Sequence, residues 1–366
     1  MALDCASNRV RKITLDYEVI KLYSFVVQSY RELLILDCAS NREWKRRMWS
    51  YDHGCDIMTL HNQNIPQSVR KDAYSRNLGP ISFESRISDR EGDVMTIASR
   101  EVVMIPPTTT IMGAAKTMLT YHFRRLPIAD AGTNRLVGIV TSLDIADFIG
   151  GGLRHNLLQS RFHNNLLAAV NESIREIMEE NVISLDEKNS INSALRIMIE
   201  KNIGGIPIVD GDNRVKAIIS ERDFVWLHDN MTTNKNVKEY MSRNVISISP
   251  DLPICEAASN MITHGFRRFP VKKEGVLFGM ITASDVLRYL AGGEVFNKLI
   301  SADVSEALNV PVNELITKEV ITIAPDVDMG AAAHLMVENK IGSLPVVDDE
   351  KLVGIITERD FIKSLI

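Results

Sequence analysis

A hydroxyl residue followed three positions later by an aspartate occurs four times in the sequence, each time where a short apolar segment meets an apolar helical pattern. The four copies are Thr141 with Asp144, Ser220 with Asp223, Thr282 with Asp285, and Thr357 with Asp360. A hydroxyl and a carboxylate at this spacing are typical of a helix start. The free N–H groups and the dipole of a helix start attract anions. The sequence therefore predicts four strand-to-helix turns, each of which is a candidate anion site.

The two side chains of each turn suit different parts of a ligand. The hydroxyl and the backbone amides suit a phosphate, whereas the carboxylate would repel one. We therefore expect the four aspartates to accept hydrogen bonds from a ribose diol, as acidic residues do in dinucleotide-binding folds. The alternative is a capping box that stabilises the helix and binds nothing, and the residue types alone leave both interpretations open.

Arginines supply the cations that phosphate binding would need. Two adjacent pairs stand before a proline in the first and third copies, namely Arg124 and Arg125, and Arg267 and Arg268. Alternation along a strand would send the members of a pair to opposite faces. One member of each pair could then bind a phosphate through its guanidinium fork, and the alternative is a solvated surface pair. His122 and His264 flank the two pairs and are either phosphate contacts or ordinary surface histidines.

Two further arginines, Arg222 and Arg359, lie in the first turn of the predicted final helices of the second and fourth copies. A cation at a helix start opposes the helix dipole. An anion close to each arginine would remove that penalty. The anion is either Glu221 and Glu358 or a bound phosphate, and the sequence leaves both options open.

Each turn belongs to a repeat with the predicted order β-α-β-β-α, so the expected fold class is α/β (α+β). A leading strand at 102–105, 182–185, 245–248 or 320–323 precedes a helix with apolar residues at i, i+3, i+4, i+7 and i+8, which is the spacing of one buried stripe. A proline-led strand, a polar hairpin turn and a second strand follow. The repeats are predicted at 88–150, 172–230, 236–293 and 311–366.

The repeats alternate in sequence, which indicates that a two-repeat module was doubled. The first and third carry the Arg-Arg pair, whereas the second and fourth carry Gly or Ser there and share Glu-Arg-Asp-Phe at 221–224 and 358–361. The modules would span 88–230 and 236–366. A single unit cannot bury both faces of its small sheet. We therefore expect the two repeats of a module to pack sheet against sheet, with two clefts between them.

Composition excludes several classes of protein. The 366 residues suggest two or three domains. The net charge of −5 argues against a large nucleic-acid surface. The four cysteines form no CxxC motif, which fits a reducing cytoplasm. No apolar run is long enough to span a membrane, and no signal peptide is apparent. Histidines and carboxylates show neither metal-ligand spacing nor a nucleophile–base arrangement, so we expect no metal site and no enzyme.

The segment 1–87 does not join the repeat pattern. Its residues 3–9 recur identically at 36–42, which indicates a short recent duplication or a non-native upstream translation, with Met58 as the native start. The stretch 42–49 mixes basic and aromatic residues. Such a stretch either contacts RNA or is a helix with a solvated basic face.

From about residue 90 to residue 366 the pattern resembles the CBS (cystathionine β-synthase) domain family. The features that carry the resemblance are the four Thr/Ser-x-x-Asp turns, the proline-led strands and the alternating pairing. The resemblance implies paired repeats, or Bateman modules, that bind adenosine ligands such as AMP, ADP, ATP, S-adenosylmethionine or NAD, with Mg²⁺ only when ATP carries it. Four repeats in one chain are similar in layout to the γ subunit of AMP-activated protein kinase, where two modules form a disc.

The resemblance also implies unequal sites. Ser184, Ser247 and Thr322 occupy one position of the leading strands and would contact the base or the sugar, but Met104 takes that position in the first repeat. The second and fourth repeats lack the arginine pair. We therefore expect no more than two or three sites to bind tightly.

Three functions remain as hypotheses. The first is a cytoplasmic regulatory protein that binds adenine nucleotides and signals their occupancy to a protein partner, either as a monomer or as a homodimer. The second is a nucleic-acid-associated regulator that uses the stretch 42–49. The third is an enzyme, which would need a catalytic group that the sequence does not reveal.

Overall fold

The computed structural model describes residues 92–150, 152, 154–297 and 308–365. The duplicated heptapeptide, the stretch 42–49 and Met58 lie outside the described residues, so the predictions for that segment stay predictions. In the described part, no helix is both long and apolar enough to cross a membrane.

The first repeat shows how the local sequence produces each element. Helix α1 (Ile111–Thr120) begins at Thr110, whose hydroxyl accepts a hydrogen bond from the Gly113 amide at 3.0 Å. Strands β1 (Arg125–Ala129) and β2 (Leu136–Thr141) form an antiparallel hairpin, and α2 (Ser142–Gly150) follows Thr141 directly. The predicted strand, hairpin and capped final helix are therefore present.

The other three repeats follow the same order. The second contains β3 (Leu185–Asp186), α5 (Ile191–Glu200), β4 (Gly205–Val209), β5 (Val215–Ser220) and α6 (Glu221–His228). The third contains α8 (Ile254–His264), β6 (Arg268–Lys273), β7 (Val276–Thr282) and α9 (Ala283–Ala291). The fourth contains α11 (Met329–Glu338), β8 (Ser343–Asp348), β9 (Lys351–Thr357) and α12 (Glu358–Lys363). Short connecting helices are α3 (His155–Phe162), α4 (Leu166–Val170), α7 (Val237–Tyr240) and α10 (Glu294–Asn297).

Four of the five apolar positions predicted for the first helix of each repeat are buried, while the fifth is half-buried in Leu119, Ile262 and Val337 and exposed in Ile199. In α1 the residues Ile111, Ala114, Ala115 and Met118 are at most 1% exposed. The same four positions are buried in α5, α8 and α11. Alanines in the middle of the stripe bring each helix close to its neighbours, because a small side chain leaves the backbones free to approach.

The leading segments are shorter strands than predicted. Ile105, Ile248 and Ile323 each form a single parallel bridge to the proline-led strand, and only the second repeat has a two-residue strand, β3. The reason is a proline two positions further on, at Pro107, Pro250 and Pro325, because proline has no N–H to continue the ladder. The second repeat has Glu187 there, and its amide donates to Val209 at 3.3 Å.

The repeats pair into two modules by exchanging their leading segments. Ser99 of the first repeat pairs with Ile218 of the second, and Glu179 of the second repeat pairs with Ile139 of the first. The third and fourth repeats are joined in the same way, through Ser242 with Ile355 and Thr317 with Met280. The predicted fold, four repeats in two Bateman modules, is therefore confirmed.

The largest apolar core of the described residues lies between the two modules rather than between the sheets of one module. Helices of the first and third repeats share one continuous core, in which Gly150 of α2 packs against Ala258 of α8. The second and fourth repeats meet through α6 and α12, where the His228 and Phe361 rings are 5.1 Å apart. The sheet-to-sheet cluster within the first module is small, with Leu136, Val209 and Val215 as its buried members. The expected sheet-to-sheet contact is therefore present in the first module, but it is smaller than the core shared by the first and third repeats.

Candidate functional site

Each of the four Thr/Ser-x-x-Asp turns forms a capping box. One carboxylate oxygen accepts from both the amide and the hydroxyl of the Thr or Ser, at 2.7 and 2.8 Å in Asp144 and at 2.6 and 2.9 Å in Asp223. Asp285 and Asp360 show the same pattern. The capping box that stabilises the helix start is thus present in every repeat. A ligand could bind only to those atoms of the turn that the capping box does not engage.

The amides of these helix starts are partly engaged inside the chain. The first amide of each final helix donates to the backbone carbonyl of Arg124, Gly204, Arg267 or Gly342, at 2.9 to 3.2 Å. The third amide is bound by the hydroxyl in the capping box. Each helix start therefore has fewer free N–H groups for binding an anion than the sequence suggested. The same hydrogen bonds fix each carboxylate beside the segment that carries the arginines or the glycines.

The second carboxylate oxygen distinguishes the four repeats. A cation occupies it in three of them: Arg154 at 2.9 Å from Asp144, Arg288 at 2.8 Å from Asp285 and Lys363 at 2.8 Å from Asp360. No hydrogen bond from the described residues reaches Oδ1 of Asp223. Burial raises the pKa of Asp223 to about 6, against its hydrogen bonds to Ser220. The Oδ1 of Asp223 is therefore an acceptor that no hydrogen bond from the described residues engages, whereas the corresponding oxygen of the other three aspartates is ion-paired.

Both members of each arginine pair reach one central cluster. Its members are six arginines and two glutamates, namely Arg124, Arg125, Arg222, Arg267, Arg268, Arg359, Glu221 and Glu358. The positions that a side chain would take at Gly204 and Gly205 lie against Arg125, and the position at Gly204 also lies against Arg267. Arg268 is close enough to Arg124 for their repulsion to contribute to its lowered pKa. The expectation that alternation sends the members of a pair to opposite faces was wrong. Since β1 and β6 begin at Arg125 and Arg268, the arginine before each lies outside the strand and is not bound by its alternation.

Two buried glutamates lie among these arginines and pair crosswise between repeats. Glu358 binds Arg124 of the first repeat and, at 2.9 Å, Arg222 of the second. Glu221 binds Arg267 of the third repeat at 2.6 Å and Arg359 of the fourth at 3.0 Å. Of the two options that the sequence left open for Arg222 and Arg359, the glutamates are the anions present, but each comes from the other repeat.

The electrostatics of the cluster follow from burial and from these contacts. Burial would raise the pKa of Glu358, but attraction to Arg124 and Arg222 outweighs it and holds the pKa well below its usual range. Arg125 and Arg268 form no ion pair with a carboxylate of the described residues. Burial, together with repulsion from Arg267 and Arg124 respectively, lowers their pKa values to about 10 and about 9. Both remain charged at neutral pH, and their charge is poorly compensated.

The glycines of the second and fourth repeats make room for this cluster. A Cβ at Gly204 would overlap the Arg267 guanidinium and lie 2.8 Å from Oε2 of Glu221. A Cβ at Gly342 would meet Nη2 of Arg124 at 2.5 Å. The repeats without an arginine pair are therefore the sockets into which the arginines of the other repeats fit.

The cluster carries an excess of positive charge. Six guanidinium groups surround two carboxylates, which leaves four uncompensated positive charges. Charges that are half-buried, as these arginines are, destabilise a protein unless a counter-ion accompanies them. The arrangement is suited to binding polyanions such as phosphate groups. Within the described residues, no three His, Cys, Asp or Glu side chains come together as a metal site.

The remaining predicted positions lie on the leading segments. Ser184 and Ser247 are half-buried and Thr322 is exposed, while Met104 lines an open cleft of about 430 Å³ together with Val102, Pro106 and Asn134. Apolar side chains line the cleft together with the polar residues Asp130 and Asn134, and a mixed lining of this kind suits a flat base more than a phosphate. His264 stacks on Phe266 at 5.7 Å and belongs to a surface aromatic group. The ligand contacts of the three hydroxyls stay a prediction.

Several residues that contact the predicted aspartates and arginines were not among the predicted site residues. Arg288 and Lys363 follow their aspartates by three positions, a helical spacing that the sequence displays and that could have revealed both pairs. Gly204 and Gly342 appeared only as the absence of arginine. The crosswise partners of Glu221 and Glu358 depend on which repeats become neighbours, and no local pattern records that.

Comparison with known proteins agrees with this architecture. The CBS domain family model matches residues 92–151, 174–227, 237–292 and 312–366. An uncharacterized protein of Methanocaldococcus jannaschii, MJ1225, is 43% identical over 273 residues, which are 74% of this chain and 98% of the relative. Its crystal structure, described as that of a candidate archaeal homologue of γ-AMPK, has a TM-score of 0.71 at 42% identity and covers 75% of this chain and 99% of its own.

A second relative comes from Thermofilum pendens. It is an uncharacterized 33.4 kDa protein in a ribosomal RNA operon, 30% identical over 264 residues, which are 72% of this chain and 88% of the relative. Since the four family matches together span more than half of the sequence, the chain belongs to the CBS domain family.

Proposed function

We propose that this protein is a regulatory module that binds adenine nucleotides and passes their occupancy to a partner. The observation that carries the proposal is the central cluster, in which six arginines and two glutamates leave four positive charges uncompensated. The backbone hydrogen bond between each final helix and the arginine or glycine segment holds a carboxylate beside the cluster. In this proposal the aspartate of a repeat would accept hydrogen bonds from a ribose, and the neighbouring arginines would bind a phosphate.

The parts of a nucleotide have distinct places in this proposal. Its phosphates face the arginines, which bind them through charge-assisted hydrogen bonds. Its ribose diol donates to an aspartate, and Asp223 offers the acceptor that needs no displacement of a cation. Its base lies in a cleft such as the one where Val102 and Met104 provide apolar contacts. The resemblance to MJ1225, described as a candidate γ-AMPK homologue, favours adenosine ligands among the possible nucleotides.

The sites would not be equal. Repeats in which Arg154, Arg288 or Lys363 holds the aspartate must give up or share that ion pair before the carboxylate accepts a ribose. Ser184, Ser247 and Thr322 would add a polar contact in three repeats, and Met104 would not. This supports a total of two or three tight sites. Mg²⁺ would enter only as part of an ATP complex.

Occupancy would act on the arrangement of the repeats. Without ligand, the arginines of the first and third repeats repel one another while the two glutamates hold them to the second and fourth. Bound phosphate neutralises the arginines and shifts the population towards a tighter arrangement. A protein partner, or a second copy of this chain, that prefers one arrangement would thereby sense the ligand.

Calorimetry on the full-length protein tests the proposal. AMP, ADP, ATP, NAD and S-adenosylmethionine are titrated separately, with adenosine as the matched ligand that lacks phosphate. We expect at least one nucleotide to bind with a Kd well below about 1 mM and adenosine to bind more weakly, because it leaves the arginines unpaired. If none of the ligands binds more tightly than about 1 mM, the proposed function is wrong.

A further inference from the structure

The two central glutamates have no part in the capping boxes, yet they are among the most buried charged groups of the described structure. The side chains of Glu221 and Glu358 are each 3% exposed. Each carboxylate is held by two guanidinium groups from two other repeats. Their neighbours Asp223 and Asp360 provide the caps, so neither glutamate is needed to start its helix.

A carboxylate in this position competes with phosphate for the same donors. Guanidinium groups bind carboxylate and phosphate oxygens in the same forked geometry. Glu358 engages Arg124 and the Nε of Arg222, and Glu221 engages Arg267 and Arg359. Four of the six arginines are thus already paired, and Arg125 and Arg268 are the two that no carboxylate of the described residues pairs with. A ligand meets a partly neutralised centre.

We propose that Glu221 and Glu358 are specificity-determining residues that act as resident anions and limit how much phosphate charge the arginine centre accepts. The inference rests on the proposed function and refines it. A phosphomonoester carries about −1.5 to −2 charges at neutral pH, so two monophosphates nearly balance the four uncompensated arginines. Longer phosphate chains bring further negative charge towards two carboxylates that cannot leave. The glutamates therefore favour AMP over ATP.

A structural role makes a different prediction. If the glutamates only brace the repeats, their removal would weaken the binding of every nucleotide by a similar factor. If they limit phosphate charge, their removal would improve ATP binding relative to AMP binding. The ratio of the two dissociation constants therefore separates the two roles, because a general loss of structure cancels in it.

The experiment measures Kd for AMP, ADP and ATP at constant ionic strength in the wild type, in Glu221→Gln, in Glu358→Gln and in the double variant. Glutamine keeps the shape and removes the charge. The matched control is Glu200→Gln, at an exposed position of α5. We expect the ratio of the ATP Kd to the AMP Kd to fall by about tenfold in the double variant, by less in the single variants, and not at all in the control, since charge juxtaposition sets specificity in this way.

An unchanged ratio, within about twofold, in variants that still bind AMP overturns the inference and leaves the proposed function standing. Absence of nucleotide binding by the wild type overturns the proposed function itself. Removing a buried counter-charge destabilises a protein, so thermal unfolding with and without inorganic phosphate is the second measurement. We expect phosphate to raise the unfolding midpoint more in each glutamine variant than in the wild type. An equal rise of the unfolding midpoint in the glutamine variants and in the wild type would contradict the inference, even if the double variant binds nucleotides poorly.

Discussion

The molecule has two halves, one formed by the first and third repeats and the other by the second and fourth. Both halves are built from the same unit, but they contribute different residues to the central cluster. The first half contributes the arginine pairs that enter the central cluster. The second half contributes Gly204 and Gly342, which make room for them, and the two glutamates that bind them. Repeats of one fold thus contribute either the arginine pairs or the glycine sockets, and the central cluster forms only where the two halves meet.

The two halves also differ in how they hold together. The first and third repeats share one apolar core, in which Ile149 and Leu290 take equivalent positions in the final helices. The second repeat has His228 at that position. Its imidazole nitrogens lie 2.9 Å from the Phe224 carbonyl oxygen and 2.9 Å from the Ser364 hydroxyl. The arginine-donating half is therefore joined by apolar packing alone at this point, and the socket half by a buried polar contact.

The largest expected effect comes from the two arginines without a carboxylate partner. In the double variant Arg125→Met/Arg268→Met, AMP affinity should fall at least about 100-fold, because hydrogen bonds to charged groups contribute about 1.5–3 kcal/mol each. The unfolding midpoint without ligand should stay unchanged or rise, since burial and mutual repulsion already disfavour both charges. Calorimetry and thermal unfolding measure the two effects.

The control for this variant is Arg214→Met, which removes an exposed arginine of the second repeat's hairpin. It should leave both quantities unchanged. A lower midpoint together with unaltered AMP affinity would show that Arg125 and Arg268 are structural, and the division into donor and socket halves would then lose its functional meaning.

The next effect concerns the buried imidazole of the socket half. Burial lowers the pKa of His228 from 6.5 to about 4, and Lys235 adds to the lowering. Between about pH 6.5 and 4, His228 is therefore protonated in the unfolded chain but neutral in the folded chain. Stability is lost as pH falls through this range. By linkage the loss can reach about 3 kcal/mol. Chemical denaturation across this range should therefore show that the wild type loses more free energy of unfolding towards acid pH than a variant in which position 228 does not titrate.

The matched variant is His228→Gln, which keeps a hydrogen-bonding group near Ser364 but does not titrate. Asp223, with its raised pKa, contributes a slope of the opposite sign between about pH 4 and 6 in both proteins, so the difference between them isolates the histidine. Equal pH dependence in the two proteins would show that the interface of the second and fourth repeats does not depend on a neutral His228.

A third prediction tests the sockets directly. Gly204→Ala places a Cβ against the Arg267 guanidinium and near Glu221, and we expect a loss of about 1–3 kcal/mol of stability together with weaker AMP binding. Gly211→Ala is the control, because a Cβ there meets nothing within 4 Å. It should be neutral or slightly stabilising. Similar behaviour of the two variants in chemical denaturation and calorimetry would contradict the socket interpretation.

The local features of this architecture could be predicted from the sequence, and the site at its centre could be predicted only in part. The capping boxes and the buried stripes depend on residues a few positions apart, which is why their pattern was readable. Even the short leading strands follow from Pro107, Pro250 and Pro325, which the sequence shows. The ion pair of Arg124 with Glu358 joins residues 234 positions apart. It depends on the packing of the first module against the second, which no local signal encodes.

The smallest effect compares two repeats within the socket half. Asp223 and Asp360 cap equivalent helices, but Lys363 pairs with the second carboxylate oxygen of Asp360, whereas no hydrogen bond from the described residues reaches that of Asp223. Asp223→Asn should weaken adenosine binding by about fivefold, the worth of roughly 1 kcal/mol for one hydrogen bond. Asp360→Asn removes the same cap but no available acceptor, so its adenosine affinity should change less. Adenosine is the right probe because it carries no phosphate, whose contacts with the arginines would mask so small a difference. Equal losses in the two variants would mean that the ligand displaces Lys363 at no cost, and the proposed inequality of the sites would then have to come from the leading segments instead.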